Sequence, residues 1–281
     1  MKKVLIPTDF SDNAWDALTY AIRIYDDIPC RFYILNTFLV GVSNTSTIQH
    51  QARNTHLFRA IQDESVHELE KIKKYLITNL LNEKHEYVTL SKAGTLINVV
   101  KNIILSENID IVIMGTTGAS GLKEIFMGSN TVKIIDNINL CPILSVPKNY
   151  EYQEMESVVF ATDLKRKFHE NQLRCLRELQ LIHNFHIEMI HIVKEEGINS
   201  MQQANMDFFK TFIEPVNISF HEIYSTENHI SEIIEEYAFK FKAHLICLLK
   251  YEHNFFETIT HEPVIKKISF HSDIPLLILP A

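Results

Sequence analysis

The sequence predicts an α/β protein made of two tandem domains, each a doubly wound, five-stranded parallel sheet. Three observations carry that reading. An apolar run ending in Thr-Asp, VLIPTDFS at 4 to 11, recurs as VVFATDLK at 158 to 165. A second pair, CPILSVPK at 141 to 148 and IPLLILPA at 274 to 281, closes each half in the same way, which is the signature of an internal repeat. Within each half, short β-branched runs alternate with segments of helical period, and the 281 residues suit two units of roughly 140.

In the first half the runs at 3 to 7, 32 to 38, 86 to 90, 111 to 114 and 142 to 146 are too short for anything but strands. Helical spacing fills 11 to 26, about 56 to 82, 95 to 106 and 129 to 138 between them. The second half repeats the rhythm with strands near 157 to 161, 186 to 192, 218 to 223, 244 to 249 and 275 to 279. Domains are expected over 1 to 148 and 155 to 281, joined by the polar, acidic stretch NYEYQEMES at 149 to 157.

Composition narrows the function. A net charge of −8 argues against a nucleic acid partner, because phosphate backbones need clustered Lys and Arg. No stretch approaches the ~20 apolar residues that span a bilayer, and the N-terminal MKKVLIPTD lacks the apolar region of a signal peptide and reads as a first strand. Cys30, Cys141, Cys175 and Cys247 are scattered with no CxxC pair, so reduced, structural thiols in a cytoplasmic protein are expected. The histidines of the second half, including His244, His253, His261 and His271, have no metal-ligand spacing, and no metal site is expected.

Four of the chain's 7 glycines, Gly115, Gly118, Gly121 and Gly128, fall in the stretch GTTGASGLKEIFMGSNT at 115 to 131. In an open parallel sheet a ligand sits beyond the carboxyl ends of the strands where strand order reverses. The ends of the first strand, Pro7-Thr8-Asp9, and of the fourth, Met114-Gly115, are therefore the natural site. Glycine lets a phosphate approach bare backbone amides. Ser129, expected as the N-cap of the following helix, would leave the amides of Asn130 and Thr131 as a phosphate seat, with the two hydroxyls as further donors. Neither GxxxxGK[ST] nor GxGxxG occurs, so a P-loop NTPase and a dinucleotide-dependent dehydrogenase are both excluded.

The spacing of Gly115, Gly118, Gly128 and Ser129 is G-x2-G-x9-G-S. With PTDFS, the Ile-Met-Gly ending the fourth strand and CPILSVPK, it resembles the nucleotide-binding members of the universal stress protein family, here in a tandem two-domain form. The resemblance implies an adenine nucleotide-binding, Rossmann-like fold and a stress-response role as sensor or switch. It implies a ligand of ATP, ADP or AMP, with Mg2+ an optional companion. Asp9, with Pro7 and Thr8, would read adenine, and Thr37 after the second strand would lie beside the base. Met114, Gly115, Gly118, Gly128, Ser129, Asn130 and Thr131 would hold ribose and phosphates. It also implies that the last strand of each half pairs antiparallel within one chain, while a homodimer of chains stays open.

The second half serves as an internal control. Leu249, Lys250, Tyr251 and Glu252 stand where the first half has Gly115 to Gly118, and His261-Glu262 where it has Gly128-Ser129. The fold built twice keeps the glycines once, so folding as such does not demand them and one nucleotide site per chain is expected. No catalytic residue is assigned: Glu124, the one acid inside the loop, sits in LKEI and reads as a solvated helix residue. A slow ATP hydrolase and a non-binding interaction scaffold are the alternatives, and a receiver domain falls away because Thr8-Asp9 offers a single acid.

Overall fold

The computed structural model describes residues 1–39, 56–116, 129–193, 197–225, 229–250 and 263–280. Its strands form one ten-stranded sheet. In the first half β1 (Lys2–Pro7), β2 (Cys30–Phe38), β3 (His85–Ala93), β4 (Ile111–Gly115) and β5 (Ile143–Val146) alternate with α1 (Asp12–Ile24), α2 (His56–Asn79), α3 (Leu96–Glu107) and α4 (Ser129–Asn137). The second half runs β6 (Ser157–Ala161), α5 (Glu170–His183), β7 (His186–Val193), α6 (Ser200–Ile213), β8 (Ile218–Tyr224), α7 (Ile230–Lys240), β9 (Leu245–Lys250), α8 (Val264–His271) and β10 (Leu276–Pro280). The alternation expected from the sequence is therefore present in both halves, with β3 longer than anticipated.

Strand order is β3-β2-β1-β4-β5-β10-β9-β6-β7-β8. Each half has the doubly wound order 3-2-1-4-5, with the reversal between its first and fourth strands. Pairing is parallel within each half. The expected exception is present at the centre, where β5 and β10 run antiparallel with Leu277 opposite Leu144 and Ile278 opposite Ile143.

Side chains alternate across a strand, so the sheet has two apolar faces. Val4, Ile6, Phe32, Ile34, Ile111 and Ile113 meet α1 and α2 on one face, continuous through Leu144 and Leu277 with α5 and α6 of the second half. Leu5, Leu35, Val112, Met114, Ile143 and Ile278 meet α3, α4, α7 and α8 on the other. Both cores cross the central join without interruption.

The connection between the halves is docked rather than loose. Tyr150 and Tyr152 each meet the ring of Tyr20 edge-on, at 5.7 and 5.8 Å, and Met155 is buried in the α1–α5 core. The polar composition of 149 to 157 hid this, because three apolar anchors are enough to seat a short segment. Among the described residues no helix is long and apolar enough to cross a membrane. All four cysteines are buried and unpaired. Burial pushes the thiols of Cys30, Cys141 and Cys175 up to about 12, so they pack as apolar groups.

Leu277→Ala removes a fully buried side chain at the join and is expected to cost about 2–5 kcal/mol. Trp15, the single tryptophan, lies on α1 in the first half and reports the outcome. In urea unfolding its fluorescence midpoint should fall together with the far-UV circular dichroism midpoint. A Trp15 transition left in place while the dichroism shifts would mean that the halves unfold separately.

Candidate functional site

The carboxyl ends of β1 and β4 meet at the switch point of the first half. β1 leaves the sheet through a tight turn in which the Phe10 amide donates to Thr8 Oγ1 at 3.0 Å. The Ser11 amide donates to Asp9 Oδ1 at 3.1 Å and the Ser11 hydroxyl at 2.6 Å. Phe10 takes a left-handed backbone, φ +64°. Ser11 then caps α1 by accepting from the Ala14 amide at 3.3 Å. The helix cap is thus Ser11, and Asp9 orients Ser11 one step earlier.

Beside this turn lies a buried polar chain absent from the expected site. Asn36 Nδ2 donates to the Thr8 carbonyl at 2.8 Å, and the Ser65 hydroxyl donates to Asn36 Oδ1 at 2.8 Å. Ser91 Oγ lies 2.8 Å from Ser65 Oγ. These side chains, from β2, α2 and β3, fix the exit of β1. A polar residue at an inward position near the end of an apolar strand, as Asn36 is, was the available signal. Thr37 follows as the penultimate residue of β2 rather than after the strand, paired in register with Lys92 and half-buried.

The end of β4 is shaped by α1. A Cβ on Gly115 would lie 2.6 Å from Asn13 Oδ1 and 2.7 Å from the Asn13 backbone oxygen, well inside van der Waals contact. Asn13, only 2% exposed, donates through Nδ2 to the Val146 carbonyl at 3.2 Å. Gly115 is therefore required by close approach of helix to strand, whatever else it does. This corrects the expectation that the fold does not demand the glycines. Met114 buries its side chain against α3 and α4, so it faces the site with backbone alone.

α4 is described from Ser129 onward. Thr131 is 3% exposed, and its hydroxyl donates to the Gly115 carbonyl at 2.8 Å. That proton is committed to tying α4 to β4, so Thr131 offers an anion its amide and not, as expected, a hydroxyl donor. Asn130 is exposed. Amides in the first turn of any helix have no intrahelical acceptors and sit at its positive end. Gly118 and Gly128 lie outside the described residues, as do Gly121 and Glu124. The structure thus brings together Pro7, Thr8, Asp9, Met114, Gly115 and the start of α4.

The second half builds the same turn to a different end. The Leu164 amide donates to Thr162 Oγ1 at 3.1 Å, the Lys165 amide to Asp163 Oδ1 at 3.0 Å, and Leu164 has φ +55°. His191 Nδ1, at the Asn36 position, lies 3.1 Å from the Thr162 carbonyl. Yet Thr162, Asp163 and Leu164 are 5%, 5% and 0% exposed, against 38% for Phe10, with Thr8 and Asp9 half-buried. Gln202 Nε2 donates to the Asp163 carbonyl at 2.9 Å and Asn205 Nδ2 to that of Leu164 at 2.7 Å, and Phe168 packs on Phe160 and Phe209.

Helix placement separates the two outcomes. α1 begins at Asp12, three residues past Asp9, whereas α5 begins at Glu170, seven past Asp163. The extra residues carry Phe168 into the core and remove the crowding that makes Gly115 a glycine. Strand register puts Leu249 at the Gly115 position, and there it is buried without conflict.

Two consequences can be measured. Gly115→Ala should destabilise the protein by about 1–3 kcal/mol in chemical denaturation. Asn13→Ala should not rescue it, because the Asn13 backbone oxygen stays in place. Burial, the dominant influence, raises Asp163 above the usual carboxylate range against the opposing pull of the Lys165 amide and nearby positive charge. Its Oδ2 is buried without a hydrogen bond. A raised folded-state value means that stability is fullest below the ordinary Asp value and is lost as pH rises through the raised one. Asp163→Asn keeps the Oδ1 acceptor and should raise the melting temperature at pH 7. The gain should shrink towards pH 3, and an equal gain at both pH values would rule out a charge effect.

The universal stress protein family model matches residues 1–147. Universal stress protein MJ0531 of Methanocaldococcus jannaschii is 29% identical over 147 residues, covering 52% of this chain and 82% of its own. A universal stress protein from Archaeoglobus fulgidus matches 98% of this chain and 95% of its own in structure, with TM-score 0.65 at 17% identity. An Archaeoglobus fulgidus universal stress protein solved in complex with dAMP matches 45% of this chain and 99% of its own, at 15% identity and TM-score 0.34. With the family model covering more than half of its residues, the glycine spacing present in the sequence, and the Thr-Asp turn and strand order in the structure, the chain belongs to the universal stress protein family.

Proposed function

We propose that the first half binds one adenine nucleotide, ATP or its ADP and AMP relatives, at the junction of β1 and β4. The protein then works as a nucleotide-responsive switch in a cytoplasmic stress response. The observation that carries this reading is the contrast between two copies of one turn, accessible at Thr8, Asp9 and Phe10 and buried at Thr162, Asp163 and Leu164. The glycine spacing of 115 to 128 supports it, since the half with the accessible turn is the half that keeps the glycines.

Each residue has a chemical role in this reading. Asp9 holds Ser11 through Oδ1, and its carboxylate is the group that would accept from the exocyclic amine of adenine. Pro7, Thr8 and Thr37 flank the base. Met114 and Gly115 present backbone to the ribose. Gly118, Gly128, Ser129, Asn130 and Thr131 supply amides to the phosphates, with Mg2+ able to share the phosphate charge. Domain limits of 1 to 148 and 155 to 281 follow, the second domain acting without a nucleotide of its own.

Titration calorimetry with ATP tests the site. The wild type should bind one equivalent. Asp9→Asn, which keeps the acceptor for Ser11, should lose affinity by about five- to a hundredfold, as should Gly118→Val and Gly128→Val. Absence of heat with the wild type would leave the interaction scaffold as the better reading, and unchanged binding in all three variants would remove the site from this cleft.

A further inference from the structure

α4 is held at both ends. At its start the Thr131 hydroxyl bonds to the Gly115 carbonyl at 2.8 Å. At its far end the clamp comes from the other half of the chain. Lys250, the last residue of β9, donates from Nζ to the Ile135 carbonyl, to that of Asp136 at 3.1 Å and to that of Ile138 at 3.4 Å, and also to Asn139 Oδ1. Lys266 of α8 adds an ion pair with Asp136 at 3.0 Å.

We propose that Lys250 is a positioning residue for the nucleotide site: it sets α4 from behind so that the amides at its front face the phosphates. The proposal rests on the nucleotide-binding reading above.

The chemistry fits the place. The last carbonyls of a helix lack intrahelical donors and carry its partial negative charge. One ammonium with three donors, at least one of them shared between two of these four acceptors, spans the last turn of α4 and the residues just past it. The described part of α4 has 9 residues, under three turns, so contacts at Thr131 and at Ile135 to Asn139 largely fix its axis. Register sharpens the point. Lys250 occupies in the second half the position of Thr116 in the first, directly after the residue equivalent to Gly115. The strand end that opens on the ligand in one half reaches across the join in the other to steady that ligand's helix. The same coupling lets the second half modulate binding in the first without a site of its own, since any change that withdraws Lys250 weakens the seat.

The test uses the full chain with Lys250→Gln, Lys250→Arg and Asn139→Ala. It combines calorimetry with ATP and with adenosine and hydrogen exchange of residues 129–137 without ligand. Lys250→Gln should weaken ATP binding on the order of fivefold and change adenosine binding much less, because α4 faces only phosphates. Exchange across α4 should quicken, and Lys250→Arg should restore both. Asn139→Ala, an exposed change, should give a smaller shift of the same sign and remains informative if Lys250→Gln does not fold. Unchanged ATP affinity with an unchanged ATP-to-adenosine ratio would overturn the positioning role while leaving the nucleotide site intact. A wild type that binds no ATP would instead defeat the nucleotide reading, and unaltered α4 exchange in Lys250→Gln would defeat the clamp as well.

Discussion

The antiparallel pairing of β5 with β10 is the constraint on which the rest depends. It joins two doubly wound halves into one sheet through Ile143, Leu144, Leu277 and Ile278, all essentially inaccessible to water. Because the paired residues fall on matching faces, each apolar layer runs unbroken from one half to the other. Contacts far apart in sequence follow from it. Lys2 pairs with Glu178, His183 Nε2 lies 2.8 Å from the Ile24 carbonyl, and Lys250 reaches the end of α4. None of these involves residues of a single half.

Against that shared frame, the two Thr-Asp turns isolate what a site needs. Both turns share the two amide-to-side-chain hydrogen bonds and a left-handed residue at the same place, so they are a way of leaving a strand and not in themselves a binding device. The following helix separates them. A short entry holds α1 close over β4, forces glycine at 115 and leaves Asp9 within reach of solvent. A longer entry lets Phe168 fold inward, tolerates Leu249 and buries Asp163 under Gln202 and Asn205. Four residues of loop thus separate an accessible cleft from a packed one.

Polar groups in the first half's cleft are mostly spent on architecture. Asn13, Asn36, Ser65 and Thr131 each satisfy a buried carbonyl or side chain that would otherwise be orphaned. In the nucleotide reading proposed above, what would face the ligand is largely backbone at the ends of β1 and β4 and the described start of α4. Specificity from such a surface comes from shape and amide geometry, with Asp9 as the charged exception, and it tolerates little movement of α4. In the proposed nucleotide reading, that sensitivity is how Lys250, at the far end of α4, would bear on the site.

The sequence by itself determined the elements and their repetition. Strand and helix periods are written over a few residues, turn chemistry over two or three, and the recurrence of VLIPTD as VVFATD needs only comparison of the chain with itself. It also marked a candidate neighbourhood, because Gly115 and Thr-Asp fall at strand ends beside the switch point. Tertiary structure decided the rest: that Gly115 answers to Asn13, that the Thr131 hydroxyl serves Gly115, that Asn36 holds the exit of β1, and that Lys250 closes on α4. Each of these joins residues that only packing brings together, and helix entry points and sheet joins set such meetings through contact geometry that no local pattern records.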